Sequence, residues 1–362
     1  MKKILIFLGS TDIGGTEKQL LNILRIIQPN FNISLVIFYK KGALEKEFRS
    51  LKVKYIDLTD VGEGSNRIFK ILHKLVSFWK IIKNEKPKII HFFLPHSYLI
   101  GGWLSFVFNT KFIMSRRSLN FYQKKFFFIK YIEILLHKKM DLIIGNSKRI
   151  LKQLSEEEFV PKSKLKLIYN GVHLNTEKKK STSTVNMICT ANFLPYKNHL
   201  MLLKACSLIS KKRKWNLKLI GNGPNQFIDK IRMYIKEYGL EKNVKIIENQ
   251  KSVEKFLINS DIGILTSDEE GFSNSILEYM SFGLCVVATK VGGNEEAIID
   301  NECGYLINKN DHLSLSKKLN TLIENKAKTK KMGKSSFKRV SKEFNMLKSA
   351  SDISSVYNNY LN

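Results

Sequence analysis

The feature that most constrains this chain is an alternation. Short apolar runs bounded by turns are each followed by a longer segment whose apolar residues recur at helical spacing. "KILIFLG" precedes "TEKQLLNILRII", "ISLVIFY" precedes "ALEKEFRSL", "KIIHFFL" precedes "YLIGGWLSFVF", and "LIIGNS" precedes "KRILKQLS". Strands apolar on both faces with amphipathic crossovers between them form a parallel sheet covered by helices on both sides. The alternation stops at "HLNTEKKKSTSTV", which is lysine- and hydroxyl-rich without apolar periodicity, and restarts from "NMICTAN" to "EEAIID". The reading is α/β, with two Rossmann-like doubly wound domains facing each other across a cleft. Their expected limits are residues 1–174, a linker at 175–184, residues 185–345, and a C-terminal helix at 346–362 packing back on the N-terminal domain. Such sheets bind ligands beyond the carboxyl ends of their strands, so a shared active site is expected.

Two segments imitate other classes. "MKKILIFLGS" opens like a signal peptide, but its apolar run is short and leads into a glycine turn without a small-residue cleavage site, so it reads as a first strand. Residues 89–110, "IIHFFLPHSYLIGGWLSFVFNT", are uncharged over roughly the length that spans a bilayer. Pro95, the histidines and Gly101-Gly102 favour strand, loop and then buried helix.

Lys plus Arg number 61 against 32 Asp plus Glu, a formal charge of +29. That imbalance implies an anionic partner: nucleic acid, an anionic membrane surface or a phosphorylated substrate. The charges are dispersed between apolar runs with no RNA-recognition, zinc-finger or basic-zipper pattern, which argues against nucleic acid. Cys189, Cys206, Cys285 and Cys303 have no paired spacing and read as reduced, buried thiols of a cytoplasmic protein.

The stretch "EEGFSNSILEYMSFG", 269–283, sets Glu270 and Glu278 eight positions apart, with seven residues between them. In one continuous helix the pair would lie roughly 80° apart, which is not one face. Gly271 and Ser273-Asn274-Ser275 read better as a turn feeding a helix, with Glu270 on the loop and Glu278 inside the helix. Carboxylates accept from sugar hydroxyls and helix N-terminal amides cradle phosphate oxygens, so the pattern suits a nucleotide sugar. The first βα turn, "GSTDIGGTEKQL", is not GxGxxG, yet Gly14-Gly15 opening a helix lets backbone approach a phosphate closely; a tight turn would use the same glycines. "ANFLPYKNHL" places Lys197 after a strand and a proline turn, where a cation can meet an anion, although a lone lysine in so basic a chain is more often solvated surface.

From "ANFLPYKN" through "GNGP" and "NSDIGILTSDEEGFSNSILEYMSFGLCVVATKVGGNEEAI" to "GYLI", the chain resembles the donor domain of the retaining glycosyltransferases of family 4, which have the GT-B fold. The likeness extends more weakly to "GGTEKQLLNIL", "HFFLPHSYLIGG", "NSK" and "IYNGV" in the first half. The resemblance implies that Glu278 binds ribose hydroxyls, that Glu270 contacts the donor sugar, and that the amides of Phe272, Ser273 and Asn274, after Gly271, hold the diphosphate, with Gly15 approaching from the other domain. Family members usually carry an arginine five residues before the phosphate-binding lysine. Asn192 stands there, so Lys197 is expected to carry more of that load. The loop after "KIIHFFL" often holds a histidine near the donor sugar, for which His96 is the candidate and His91 lies nearer the strand.

The carboxylate pair also invites a glycosidase reading. A nucleoside diphosphate is already a good leaving group and needs its charge neutralised more than it needs a proton, so transfer from a UDP- or GDP-linked sugar is the better reading. No carboxylate cluster has metal-ligand spacing, and Lys197 with the helix amides can do a metal's electrostatic work, so no metal or cofactor is expected. The expected acceptor is a glycan or lipid-linked oligosaccharide of capsule, O-antigen or lipopolysaccharide assembly. The rivals are a GT-B nucleotide-sugar epimerase and a basic nucleic-acid-binding protein. Residues 116–140 interleave six aromatics with many basic residues. That composition, with Arg116 and Arg117 at its start, suggests a membrane side and a peripheral protein on the inner face of the cytoplasmic membrane, unless the aromatics pack inward, and the resemblance implies that this half is the acceptor side.

Overall fold

The structure, a computed structural model, describes residues 2–361 apart from 63, 65, 121, 124, 125, 176, 178–182, 211, 212 and 251. Most of the expected linker therefore lies outside the described residues. The chain divides into two compact units, Met1–Gly171 with Met346–Asn362, and Val172–Asn345.

The first unit carries β1 (Lys3–Ser10), β2 (Asn32–Lys40), β3 (Lys54–Asp57), β4 (Ile89–Phe93), β5 (Lys111–Arg116), β6 (Leu142–Gly145) and β7 (Leu165–Leu167). Its sheet runs β3-β2-β1-β4-β5-β6-β7 with every pair parallel. Side chains alternate across a strand, so a sheet covered twice needs apolar residues at both parities. Ile4, Ile6 and Leu8 of β1 pack with the Gly15–Ile27 and Met346–Leu361 helices, whereas Leu5 and Phe7 pack on the other face with Phe38 and Phe78. The last helix is fastened by a polar contact too: Tyr357 Oη lies 2.8 Å from His91 Nδ1, and His91 Nε2 lies 2.9 Å from Ser115 Oγ. Burial, then the nearby Arg117 charge, hold the His91 pKa well below the usual range, so this imidazole is neutral.

The second unit carries β8 (Val185–Thr190), β9 (Trp215–Ile220), β10 (Val244–Ile247), β11 (Ile262–Leu265), β12 (Cys285–Thr289) and β13 (Gly304–Ile307), in the order β10-β9-β8-β11-β12-β13. All its pairs are parallel as well. Both sheets reverse direction of growth once, between β1 and β4 and between β8 and β11. The four cysteines are free and buried.

Some elements differ from the sequence reading. The alternation skipped β3 and the helix Arg67–Glu85, whose start is capped by Asn66 accepting from the Phe69 amide at 3.0 Å. Residues 89–110 give β4, a short helix Pro95–Gly101 and a 3-10 turn Gly102–Phe106, in place of the expected strand, loop and buried helix. The turn leaves Trp103 and Phe106 over 40% exposed, at 42% and 45%. Among the described residues no helix is long and apolar enough to cross a membrane.

Arg116, expected at an acceptor or membrane side, is instead a core residue, 1% exposed. Its Nη1 donates to Glu133 Oε1 at 3.0 Å and its Nη2 to Glu158 Oε1 at 3.1 Å. His137 Nε2 meets the other Glu158 oxygen at 2.8 Å, Tyr98 Oη meets His137 Nδ1 at 2.7 Å, and Tyr122 Oη donates to Glu133 at 2.7 Å. The cluster ties the end of β5 to the Phe127–Lys139 helix, so the inner face of the basic, aromatic segment is core. Its outer face keeps Phe128, Tyr131 and Leu135 exposed.

Removing one partner of a buried ion cluster strands the others, so Arg116→Ala should cost about 3–5 kcal/mol, read as a lowered urea midpoint. Burial raises the Glu158 pKa, but His137 and Arg116 outweigh it and the net value falls below the ordinary 4.5. A depressed carboxyl stabilises the fold above its unfolded pKa, so this contribution should be complete above about pH 4.5 and drain away as the pH falls further.

Candidate functional site

In a doubly wound sheet the loops on either side of the strand-order reversal diverge over opposite faces and leave a crevice at the carboxyl ends. In the second unit those loops follow β8 and β11, and they carry Lys197 and Glu270. Pro195–Lys197 forms a 3-10 turn and Asn198, at φ 49, caps the next helix by accepting from the Met201 amide at 3.2 Å. The turn is bonded to the β11 loop at several points. The Asp268 amide donates to Tyr196 O at 2.7 Å, Asn198 Nδ2 to Asp268 Oδ1 at 3.0 Å, and Thr266 Oγ1 to Asn198 O at 3.0 Å.

At the centre Lys197 Nζ donates to Glu270 Oε1 at 2.6 Å, and Ser267 Oγ donates to the same oxygen at 2.7 Å. Both charged side chains are mostly buried, 16% and 12% exposed. Burial pulls the Lys197 pKa down, but the Glu270 carboxylate outweighs it and the net shift is upward, so the lysine is a fixed cation. Burial pushes the Glu269 pKa up, with Lys309 opposing.

Past Gly271 the chain enters the helix Asn274–Ser281, with Ser273 Oγ accepting from the Ile276 amide at 3.4 Å. Glu270 therefore stands on the loop and Glu278 within the helix, half-buried. Phe272 is buried, its ring 5.4 Å from that of Phe344. The helix is anchored through Tyr279, whose Oη accepts from the Thr190 amide at 2.6 Å, while Ser275 Oγ donates to Thr190 O at 2.6 Å. Asn192 is exposed after β8.

The sequence reading missed the backing of Glu270. The Gly293 amide donates to Gly271 O at 2.9 Å, and a Cβ on Gly292, at φ 51, would stand 1.8 Å from Glu270 O. Only glycine meets both demands. The double glycine in "KVGGNEE" was the available signal.

The other candidates lie in the first unit. Gly14 is the N-cap of the helix begun by Gly15, and a Cβ there would meet the Glu17 carboxylate at 2.1 Å. His96 is exposed in the first turn after β4, with Leu94 before it in the rarely populated conformation φ 73, ψ 149. Arg117 donates from Nη1 to Asn170 Oδ1 at 2.7 Å. Among the described residues no group of three or more His, Cys, Asp and Glu is placed to hold a metal ion.

Gly292→Ala should force the Glu270–Gly271 backbone to move, at a cost of about 1–3 kcal/mol. Thermal denaturation should show the loss, and a melting temperature within a degree of the parent would contradict the close approach.

Residues 13–176 match the family described as Glycosyltransferase Family 4, and residues 174–339 match Glycosyl transferases group 1. A Campylobacter jejuni relative, N-acetylgalactosamine-N,N'-diacetylbacillosaminyl-diphospho-undecaprenol 4-alpha-N-acetylgalactosaminyltransferase, is 26% identical over 365 residues, 97% of this chain and 98% of its own. The capsular polysaccharide biosynthesis glycosyltransferase CapH of Staphylococcus aureus is 23% identical over 82% of this chain and 83% of its own. Among solved structures, a glycosyltransferase from Rickettsia africae aligns with a TM-score of 0.84 at 20% identity, over 99% of this chain and 98% of its own. Anabaena HepE in complex with UDP-glucose gives 0.85 at 20% identity, over 99% and 100%. With the two matches meeting end to end across residues 13–339 and the fold shared along the chain, this protein belongs to the family 4 glycosyltransferases, built on the GT-B fold.

Proposed function

We propose that the protein is a retaining hexosyltransferase that moves a sugar from a UDP- or GDP-linked donor to a glycan or lipid-linked acceptor in cell-surface polysaccharide assembly. The observation that carries the reading is the convergence, at the strand-order reversal of the second unit, of a fixed cation, a carboxylate and a helix start: Lys197 against Glu270 at 2.6 Å, beside the helix Asn274–Ser281. Lys197 and the amides around Phe272–Asn274 stabilise the diphosphate as the glycosidic bond breaks, and such preorganised charge is the largest single contribution in many enzymes. With Asn192 in place of an arginine, Lys197 carries more of the load at this site and does the work of a metal, so transfer proceeds in EDTA. Glu278 accepts from the ribose hydroxyls, Glu270 from the donor sugar, and His96 contacts that sugar from the loop after β4. The acceptor class is supported by the Campylobacter and Staphylococcus relatives, whose names carry a lipid diphosphate and a capsular polysaccharide.

Calorimetry with UDP and GDP in EDTA tests this division of labour. Glu278→Ala should weaken nucleotide binding tenfold or more, whereas Glu270→Ala should keep it and lose turnover. Equal losses of affinity in the two variants would reject the assignment, and a parent that binds neither nucleotide would reject the donor class.

The charge of +29 exceeds what a diphosphate site requires, and we place the protein at the inner face of the cytoplasmic membrane. The support is two sets of exposed apolar side chains on the first unit. Phe69, Leu72 and Val76 stand exposed one helical stripe apart, Trp103 and Phe106 are stacked 6.1 Å apart, and Lys139 Nζ lies 5.0 Å over the Phe106 ring. Aromatics with a basic rim suit an anionic headgroup layer, at about 1 kcal/mol per cation before screening. Lys124 and Lys125 lie outside the described residues. The protein should sediment with phosphatidylglycerol vesicles at low salt and be released at high salt. Lys138→Glu with Lys139→Glu should weaken that binding and spare nucleotide affinity; sedimentation that ignores salt would count against the docking.

A further inference from the structure

Asn198, the residue after Lys197, uses its whole side-chain amide. Its Nδ2 donates to Asp268 Oδ1 at 3.0 Å and to Asn310 Oδ1 at 3.0 Å, and its Oδ1 accepts from the Met201 amide at 3.2 Å. An asparagine amide carries two N–H donors, so both are engaged. The partners come from separate parts of the second unit. Met201 lies in the helix His199–Ser207 after β8, Asp268 on the loop after β11, and Asn310 on the loop after β13. Since β13 is the edge strand, with β12 between it and β11, one side chain ties loops from across half the sheet.

The backbone there is equally demanding. Asn198 stands at φ 49 and Asn310 at φ 60, in the left-handed region that asparagine enters more readily than most residues with a Cβ. The carbonyls of Lys197 and Asn198 both accept from Thr266 Oγ1, at 3.2 and 3.0 Å, and the Lys197 amide donates to Leu194 O at 3.0 Å.

These bonds matter because the charged pair spans two loops. Glu270 is oriented from within its own loop by Ser267 at 2.7 Å, whereas Lys197 reaches it at 2.6 Å from the loop after β8. A lysine stem is long and flexible, so the contact depends on how far apart the loops are held. Thr266 and the Asp268 amide link the two loops, and Asn198 adds the β13 loop to them. Resting on the glycosyltransferase reading above, we propose that Asn198 is a positioning residue: by joining the loops after β8, β11 and β13 it holds Lys197 against Glu270, in place for the diphosphate. Small misplacements of a charged group at a site of this kind are costly to its function.

Two variants of the full chain separate this role from plain stability. Asn198→Gly keeps the left-handed backbone and a tolerable helix cap but removes every side-chain bond. Asn198→Asp sets a carboxylate against Asp268, and adding Asp268→Asn restores a donor and an acceptor in the reverse sense. The first readout needs no ligand: acetylation of Lys197 by sulfo-N-hydroxysuccinimide acetate, followed by mass spectrometry against the exposed Lys204. Acylation takes the uncharged amine, so Lys197, held charged by Glu270 against the pull of burial, should react slowly in the parent. It should react about tenfold faster in Asn198→Gly and in Asn198→Asp, and at the parent's rate once Asp268→Asn is added. The second readout is the affinity ratio of UDP over uridine, or of GDP over guanosine, whichever diphosphate raises the parent's melting temperature. Asn198→Gly should lower that ratio about tenfold, yet lower it no further in a Lys197→Ala background. An asparagine with only a structural role would depress the melting temperature and leave both readouts where they were. Labelling of Lys197 at the parent's rate in a folded Asn198→Gly, or no recovery on adding Asp268→Asn, overturns the positioning. Faster labelling with a diphosphate preference that neither Asn198→Gly nor Lys197→Ala alters keeps Asn198 as the organiser of the pair and overturns the diphosphate reading instead.

Discussion

Parallel pairing of β8 with β11 is the constraint on which the second unit turns. The chain leaves β8 toward β9 on one side and returns through β11 to grow the sheet on the other, so the crossovers before the return and those after it cover opposite faces. The loops after these two neighbouring strands cannot follow each other across the sheet, and the space between them opens at the carboxyl edge. Every polar group at the site hangs from that arrangement. The Pro195–Lys197 turn belongs to one loop, Glu270 and the Asn274–Ser281 helix to the other, and main-chain bonds between them hold the loops together.

Within that frame the Lys197–Glu270 pair is a device for keeping charge in place. Two charges at 2.6 Å in a mostly buried setting are costly to separate, since each would be left desolvated and unpaired. The geometry is reinforced from behind: Ser267 donates to the same carboxylate oxygen, and the glycines at 292 and 293 press against the Glu270–Gly271 main chain. The diphosphate proposed as this site's ligand would meet a cation that does not reorganise when it arrives.

The first unit shows how adjacent residues of one type acquire different physics. At the end of β5, Arg116 is drawn into the sheet by Glu133 and Glu158, while Arg117, pointing to the other side, meets Asn170 and the Phe93 ring. One guanidinium is neutralised and structural. Its neighbour keeps an unmet Nε donor among the described residues.

The sequence by itself determined the parallel sheets, because strands such as Ile4–Leu8 are apolar at both parities and only a sheet covered on both faces buries both. It also determined the loop-then-helix form of 270–278, since Gly271 and Ser273 break and cap locally within a few residues. Local periodicity could not tell Arg116 from Arg117, because it does not say which side of a strand end meets carboxylates from residues 133 and 158. It gave no sign that Glu270 rests on Gly292, nor that His91 would be spent on Tyr357 of the last helix. Those outcomes depend on contacts between residues far apart in the chain, and only the tertiary structure, by packing such segments into one dry interior, decided which polar groups are consumed and which remain to act.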